Sequence, residues 1–133
     1  MYNNEQTSGE VKYEITIDPR TWRSKPNEDE KKTITRNLTI QTGITISHFS
    51  QIVTSPYSLT WSGGLFEGFR SNKTWQSQSV FSLDFDNGKL TIDEIFAKLS
   101  EIGIVPQLWY TSFSDSPALR KFRVVIFLGT PVT

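Results

Sequence analysis

From Phe81 to Asp86 apolar and polar residues alternate without a break, and Asn87-Gly88 comes next. Successive side chains of a strand point to opposite faces. Phe81, Leu83 and Phe85 therefore share one face, and Val80, Ser82, Asp84 and Asp86 share the other. The first face can pack on a core. The second gathers two carboxylates at the end of the strand, where Asn87-Gly88 turns the chain. Like charges side by side repel, and a divalent cation between them removes the repulsion. Hard cations such as Mg²⁺ take carboxylate oxygens in octahedral geometry. An acidic turn at a strand end, where Asp and Asn are common anyway, accounts for the same residues without a metal.

The next forty residues are equally patterned. Thr91 and Glu94 have capping-box spacing. Ile92, Ile95, Phe96, Leu99 and Ile102 fall on one stripe, and Gly103 supplies a stop. This predicts a helix from Thr91 to Gly103. Val105 to Ser112 reads as a strand, Ser114-Asp115-Ser116-Pro117 as a polar turn, and Phe122 to Leu128 as a further strand. In the last, Phe122, Val124, Ile126 and Leu128 face one way, and Arg123, Val125 and Phe127 the other. Strand, helix, strand, strand fits an RRM-like split β-α-β sheet, in which the last strand inserts antiparallel between the other two and the helix covers one face. That topology brings Asp84, Asp86, the Ser112 to Asp115 turn, Lys121 and Arg123 to one edge. Carboxylates for a metal beside a guanidinium for phosphate suit phosphoryl transfer. A plain Asp–Arg ion pair across neighbouring strands explains Arg123 equally well.

The first half carries fewer signals. Residues 1–9 are polar and expected to lack order. In Glu10 to Asp18, Val11, Tyr13, Ile15 and Ile17 alternate with Lys12, Glu14, Thr16 and Asp18, which predicts a half-buried strand ended by Pro19. Arg20 to Lys32, with Pro26, reads as a long surface loop that Trp22 alone could pin. Ile34 to Gln41 looks weakly extended. Ser47 to Val53 predicts a short helix with Ser47 as N-cap and His48 on its surface, closed by Pro56. Between Tyr57 and Gln78, Tyr57, Trp61, Phe66, Phe69 and Trp75 are interleaved with Gly63, Gly64, Gly68, Arg70 and Lys73. Glycine lets a backbone approach a ligand closely, and aromatic rings with nearby cations can stack bases and hold phosphates. A hairpin whose aromatics cover the core accounts for Trp61 and Phe66 as well.

Composition narrows the function classes. At 133 residues the chain suffices for one domain with its own core. It contains no cysteine and one histidine, His48, so disulfide frameworks, cysteine zinc sites and two-histidine chemistry are excluded. Net formal charge is zero, so any nucleic-acid contact has to be a local patch. No apolar run reaches the length of a membrane span and no signal peptide opens the chain, so a cytoplasmic protein away from membranes is expected.

Phe81-Ser82-Leu83-Asp84-Phe85-Asp86 resembles the first motif of the archaeo-eukaryotic primase superfamily, a hydrophobic strand ending in Asp-x-Asp. Tyr110 to Ser116, followed by Lys121-Phe122-Arg123-Val124-Val125, is similar to the second motif region of plasmid and phage primase-polymerases. Gly68-Phe69-Arg70 fits their nucleotide-side loop less specifically. The resemblance covers about the second half of the chain. It implies a Mg²⁺- or Mn²⁺-dependent nucleotidyltransferase in DNA replication, acting on nucleoside triphosphates with a single-stranded DNA template. Asp84 and Asp86 would be catalytic and hold the metals. Ser114, Arg123 and Arg70 would contact the nucleotide, and Lys73, Trp75 and Lys121 the nucleic acid. Two departures accompany it. Asp115 stands where the family has histidine and would repel a triphosphate, and the family's third acidic motif lies beyond Thr133. The expectation is therefore an α+β chain that forms the N-terminal part of a larger catalytic domain, inactive alone, with 10–78 as an N-terminal subregion and 79–133 as a partial RRM-like core. The alternative is a catalytically inactive module that binds single-stranded nucleic acid or nucleotide.

Overall fold

The computed structural model describes residues 10–22, 25–38, 40–54, 58–112 and 115–133. The expectations for residues 1–9, the Trp22 side chain, Pro56, Tyr57 and Ser114 lie outside the described residues. Among the described residues the order is β1 (Tyr13–Trp22), α1 (Glu28–Asn37), β2 (Ile40–Ile44), α2 (Ile46–Val53), β3 (Ser58–Ser62), β4 (Gly64–Phe66), β5 (Trp75–Phe85), α3 (Ile92–Glu101), β6 (Leu108–Thr111) and β7 (Phe122–Val132). One sheet has the order β2-β1-β3 and the other β4-β5-β7-β6, with every neighbouring pair antiparallel. The fold class is α+β. None of these helices is long and apolar enough to cross a membrane.

β7 lies between β5 and β6, as the strand-helix-strand-strand pattern predicts. The register pairs Phe85 with Phe122, Leu83 with Val124 and Phe81 with Ile126 on one face. On the other it pairs Asp84 with Arg123, Ser82 with Val125 and Val80 with Phe127. Thr91 and Glu94 close the expected capping box on α3, and Gly103 takes the left-handed φ of 81° that ends it. Ile95 is buried against Phe122 and Val124, with Phe85, Leu90, Phe96 and Leu99 around it. Coverage is partial. Leu83 remains 38% exposed, and Ile102, expected on the buried stripe, is the C-cap and 71% exposed.

The opposite sheet face forms the main core. Val80, Val125 and Phe127 pack with Ile15, Ile44, Phe49 and Val53 from the first sheet and α2. Phe49 meets Trp61 edge-on at 4.7 Å and Phe127 at 5.5 Å between ring centroids. Because the second sheet lies over β1, that strand is buried on both faces from Ile15 to Asp18. Thr16 and Asp18, expected on a solvent face, are therefore inside. Burial of such groups is tolerated when they are hydrogen-bonded. The Thr16 hydroxyl donates to the Gly64 carbonyl, and both Asp18 oxygens accept from Arg20.

Three other expectations are corrected. The predicted surface loop from Arg20 to Lys32 contains the end of β1, which passes Pro19 through a register shift, and the start of α1. Asn27 and Glu30 form a capping box there, each side chain paired at 2.9 Å with the other's backbone N–H. Ile34 and Leu38, four residues apart, bury the helix. α2 is capped by Thr45, whose Oγ1 accepts from the His48 N–H at 3.1 Å, rather than by Ser47. β7 runs on through Pro131 to Val132, opposite Gln78, instead of ending at Leu128.

The chain passes from the first sheet to the second at Gly63, between β3 and β4. A Cβ there would lie 1.7 Å from the Val80 carbonyl oxygen and 2.8 Å from its carbon. No flexible side chain can yield, because the obstacle is backbone. Gly63→Ala is therefore expected to destabilise by about 1–3 kcal/mol or more, the range of overpacked cores. Gly129→Ala, at a position with nothing within 4 Å, is the matched control and should cost little. Denaturation midpoints of the two variants check this.

Candidate functional site

The register that aligns the sheet also builds a polar row. Arg123 on β7 faces Asp84 on β5 and Tyr110 on β6. Its Nε donates to Asp84 Oδ1 at 2.6 Å and Nη2 to Oδ2 at 3.2 Å. Nη1 donates to the Tyr110 hydroxyl at 3.2 Å. Its guanidinium carbon sits 5.8 Å from the centroid of the Tyr110 ring. From the first sheet, Trp61 Nε1 donates to the same hydroxyl at 3.0 Å. The row thus continues across both sheets as Asp84, Arg123, Tyr110, Trp61.

Burial alone would lower the Arg123 pKa. The hydrogen bond to Asp84, with help from Tyr110, outweighs it and holds the pKa above the ordinary arginine value, so the guanidinium stays charged. The side chains of Arg123 and Asp84 are 32% and 48% exposed. At that exposure the pair contributes at most about 1 kcal/mol to stability. Its consequence is chiefly positional, since a bidentate fork fixes the guanidinium plane.

Two clefts meet on this row. One, of about 660 Å³, is walled by Phe66, Asn72, Trp75 and Gln78. The other, of about 810 Å³, is walled by Lys25, Lys31, Asp86, Thr111 and Ser112. Trp61, Arg70, Asp84 and Arg123 line both. Within the second, the Ser112 hydroxyl oxygen is buried with no hydrogen-bond partner among the described residues.

Arg70 is held by the turn between β4 and β5. Gly68 there takes a φ of 92°. Thr74 knots the turn: its hydroxyl donates to the Phe69 carbonyl at 2.7 Å and accepts from the Ser71 N–H at 3.1 Å. Trp75 is fixed by Gln78, whose Oε1 accepts from the indole at 3.1 Å and whose Nε2 donates to the Val80 carbonyl at 3.0 Å.

Of the residues singled out by sequence, Asp84, Asp86, Arg123, Arg70 and Trp75 come together along these clefts. Lys73 is exposed on the Thr74 turn and lines neither cleft. Lys121 also lines neither. Trp61 has both roles weighed for it, packing on Phe49 and walling the groove, while Phe66 is buried. Tyr110, Thr74 and Gln78 are the members that sequence reasoning missed. The alternation of β6, which puts Tyr110 on one face, could have suggested the first.

Asp84 and Asp86 share a face, as alternation requires. Both oxygens of Asp84 accept from Arg123, however. No group of three or more His, Cys, Asp or Glu able to hold a metal ion is found among the described residues.

Asp115 does not line the clefts. Its Oδ1 accepts from the Lys121 N–H at 2.8 Å and from Arg120 Nε at 2.9 Å, tying together the turn before β7. The Lys121 hydrogen bond is the largest effect; it outweighs desolvation and, with the lesser help of Arg120, holds the carboxyl below the ordinary aspartate value of 3.8. A depressed carboxyl pKa contributes stability that is complete above the unfolded value and fades as pH falls through the folded one. Asp115→Asn is therefore expected to be less stable than the parent chain at neutral pH, and the gap should close as pH falls below 3.8. Urea denaturation of both proteins across that range measures it.

No protein-family model, no curated protein and no solved structure matches this chain. The resemblance to primases therefore rests on the sequence motifs alone, and the groove is interpreted from its own chemistry.

Proposed function

We propose that this chain binds single-stranded nucleic acid along the groove in which the two clefts join. The observation that carries the reading is their shared wall of Trp61, Arg70, Asp84 and Arg123. Strands are bound without sequence preference where cations follow the backbone and aromatic rings meet successive bases. Arg70 is exposed and Lys25 lies farther along the groove, both available to phosphates. Trp61 and Trp75 are ring surfaces already held by hydrogen bonds. An RRM-like reading of residues 79–133 accords with this, given β7 inserted between β5 and β6 and α3 on one face. RRM sheets bind bases on their open face. Here the first sheet covers much of that face, which leaves the ligand the rim near Asp84. The cytoplasm is a compartment that supplies such a strand.

A second reading, metal-dependent nucleotidyl transfer with Mg²⁺ or Mn²⁺ and nucleoside triphosphates, has one observation in its favour: Asp84 and Asp86 both line the second cleft. It requires Asp84 to give up Arg123. Under the binding reading, Mn²⁺ leaves the thermal midpoint unchanged. A rise in midpoint that Asp86→Asn abolishes would favour transfer, because a ligand that binds only the folded state stabilises it.

Fluorescence anisotropy with a labelled oligothymidylate tests the binding itself. Affinity should fall as salt rises, through counterion release. Trp75→Ala should lose about 1–3 kcal/mol if one base stacks on the ring. Arg70→Ala should weaken binding and flatten the salt dependence. Absence of binding at low salt, or indifference to both substitutions, would refute the reading.

A further inference from the structure

Arg123 is held on two sides. Asp84 takes its Nε and Nη2, and Tyr110 takes Nη1. One N–H on each terminal nitrogen remains without a partner among the described residues. The Tyr110 hydroxyl accepts from Arg123 and Trp61, and its own hydrogen has no acceptor among the described residues. Arg123 lines both clefts, and Tyr110 lines the second. The row therefore offers donors in fixed positions, while its acceptors, the Asp84 carboxylate and the Tyr110 hydroxyl oxygen, are already engaged.

Two kinds of ligand accept from a guanidinium at adjacent atoms: a phosphate and a base edge with two neighbouring acceptors. Charge separates them. Asp84 already balances Arg123, and Asp86 lines the same second cleft. A phosphate in this cleft finds better partners in Arg70 and Lys25, which no carboxylate among the described residues pairs, than in a guanidinium already paired with Asp84. A base edge is neutral and asks only for hydrogen bonds. Among the bases, guanine presents the acceptors O6 and N7 side by side, whereas adenine alternates acceptor and donor and thymine offers O4 beside a methyl group.

We infer that Arg123, oriented by Asp84 and Tyr110, recognises the O6/N7 edge of a guanine in the bound strand. Arg70, with no ion-pair partner among the described residues, is left for the phosphates. This inference rests on the nucleic-acid reading above.

The test is competition on the full chain, with unlabelled oligothymidylates carrying one central guanine, 7-deazaguanine, adenine or cytosine. A single guanine keeps the strand from self-association. The guanine oligonucleotide should bind about tenfold more tightly than plain oligothymidylate, as a good bidentate contact does. The 7-deaza analogue, which lacks only the N7 acceptor, should lose most of that gain. Arg123→Lys should bind all five strands alike and keep a salt dependence, with circular dichroism confirming its fold. Equal binding of guanine and 7-deazaguanine, or a preference for adenine or cytosine, would overturn the inference while leaving strand binding intact. Failure to bind any strand at low salt would overturn both. The analogue comparison uses the unaltered protein, so it decides the matter even if Arg123→Lys does not fold.

Discussion

Gly63 lets the backbone of one sheet lie against the carbonyl of Val80 in the other, and the rest of the molecule is arranged around that contact. A side chain cannot enter there, since even a methyl carbon would sit 1.7 Å from the carbonyl oxygen. The close crossing sets β3 and β4 end to end in different sheets and lays the second sheet across β1. Thr16 is drawn in to meet the Gly64 carbonyl. Val80, Val125 and Phe127 become core residues shared with Ile15 and Phe49. Toward Asp84 the layers leave room, and the two clefts open there. The site is thus the unfilled margin of a sheet-on-sheet core.

Much of the second half could be read in advance because its signals are local. Alternation assigns faces within a strand, and a capping box with a gapped apolar stripe defines a helix within a dozen residues. Asn27-x-x-Glu30 carried the same capping signature as Thr91-x-x-Glu94. The helix behind it was harder to see because only Ile34 and Leu38 are buried on it and the rest is charged or polar. A half-polar strand such as β1 shows a different failure. Alternation reports which residues share a face, but it cannot report that a second layer covers the polar one. Thr16 and Asp18 look like solvent positions until β4 is placed above them.

The site was half visible for the same reason. Asp84, Asp86 and Arg123 were brought to one face by alternation and strand order. Tyr110 and Trp61 joined them through a hydrogen bond between residues 49 positions apart in the chain, on strands of different sheets. No spacing rule spans that distance. The aromatic and glycine-rich segment pointed to a backbone that approaches a ligand, whereas the close approach at Gly63 is to the Val80 carbonyl of the other sheet.

Register is what links the charge pair to the fold. Asp84 and Arg123 are opposite each other in the same alignment that sets Phe85 against Phe122 and Leu83 against Val124. A slip of one residue would turn every side chain of β7 to the other face. It would expose Phe122 and Val124, send Arg123 beneath α3 and leave Asp84 facing an apolar neighbour. The packing of Ile95 on Phe122 and Val124 therefore fixes which group opposes Asp84. An Asp-x-Asp strand end specifies only that two carboxylates share a face. What they do depends on the residue that the neighbouring strand sets across from them. Here that residue is an arginine whose fork engages both oxygens of the first aspartate, which makes Asp84 in this conformation a brace for Arg123.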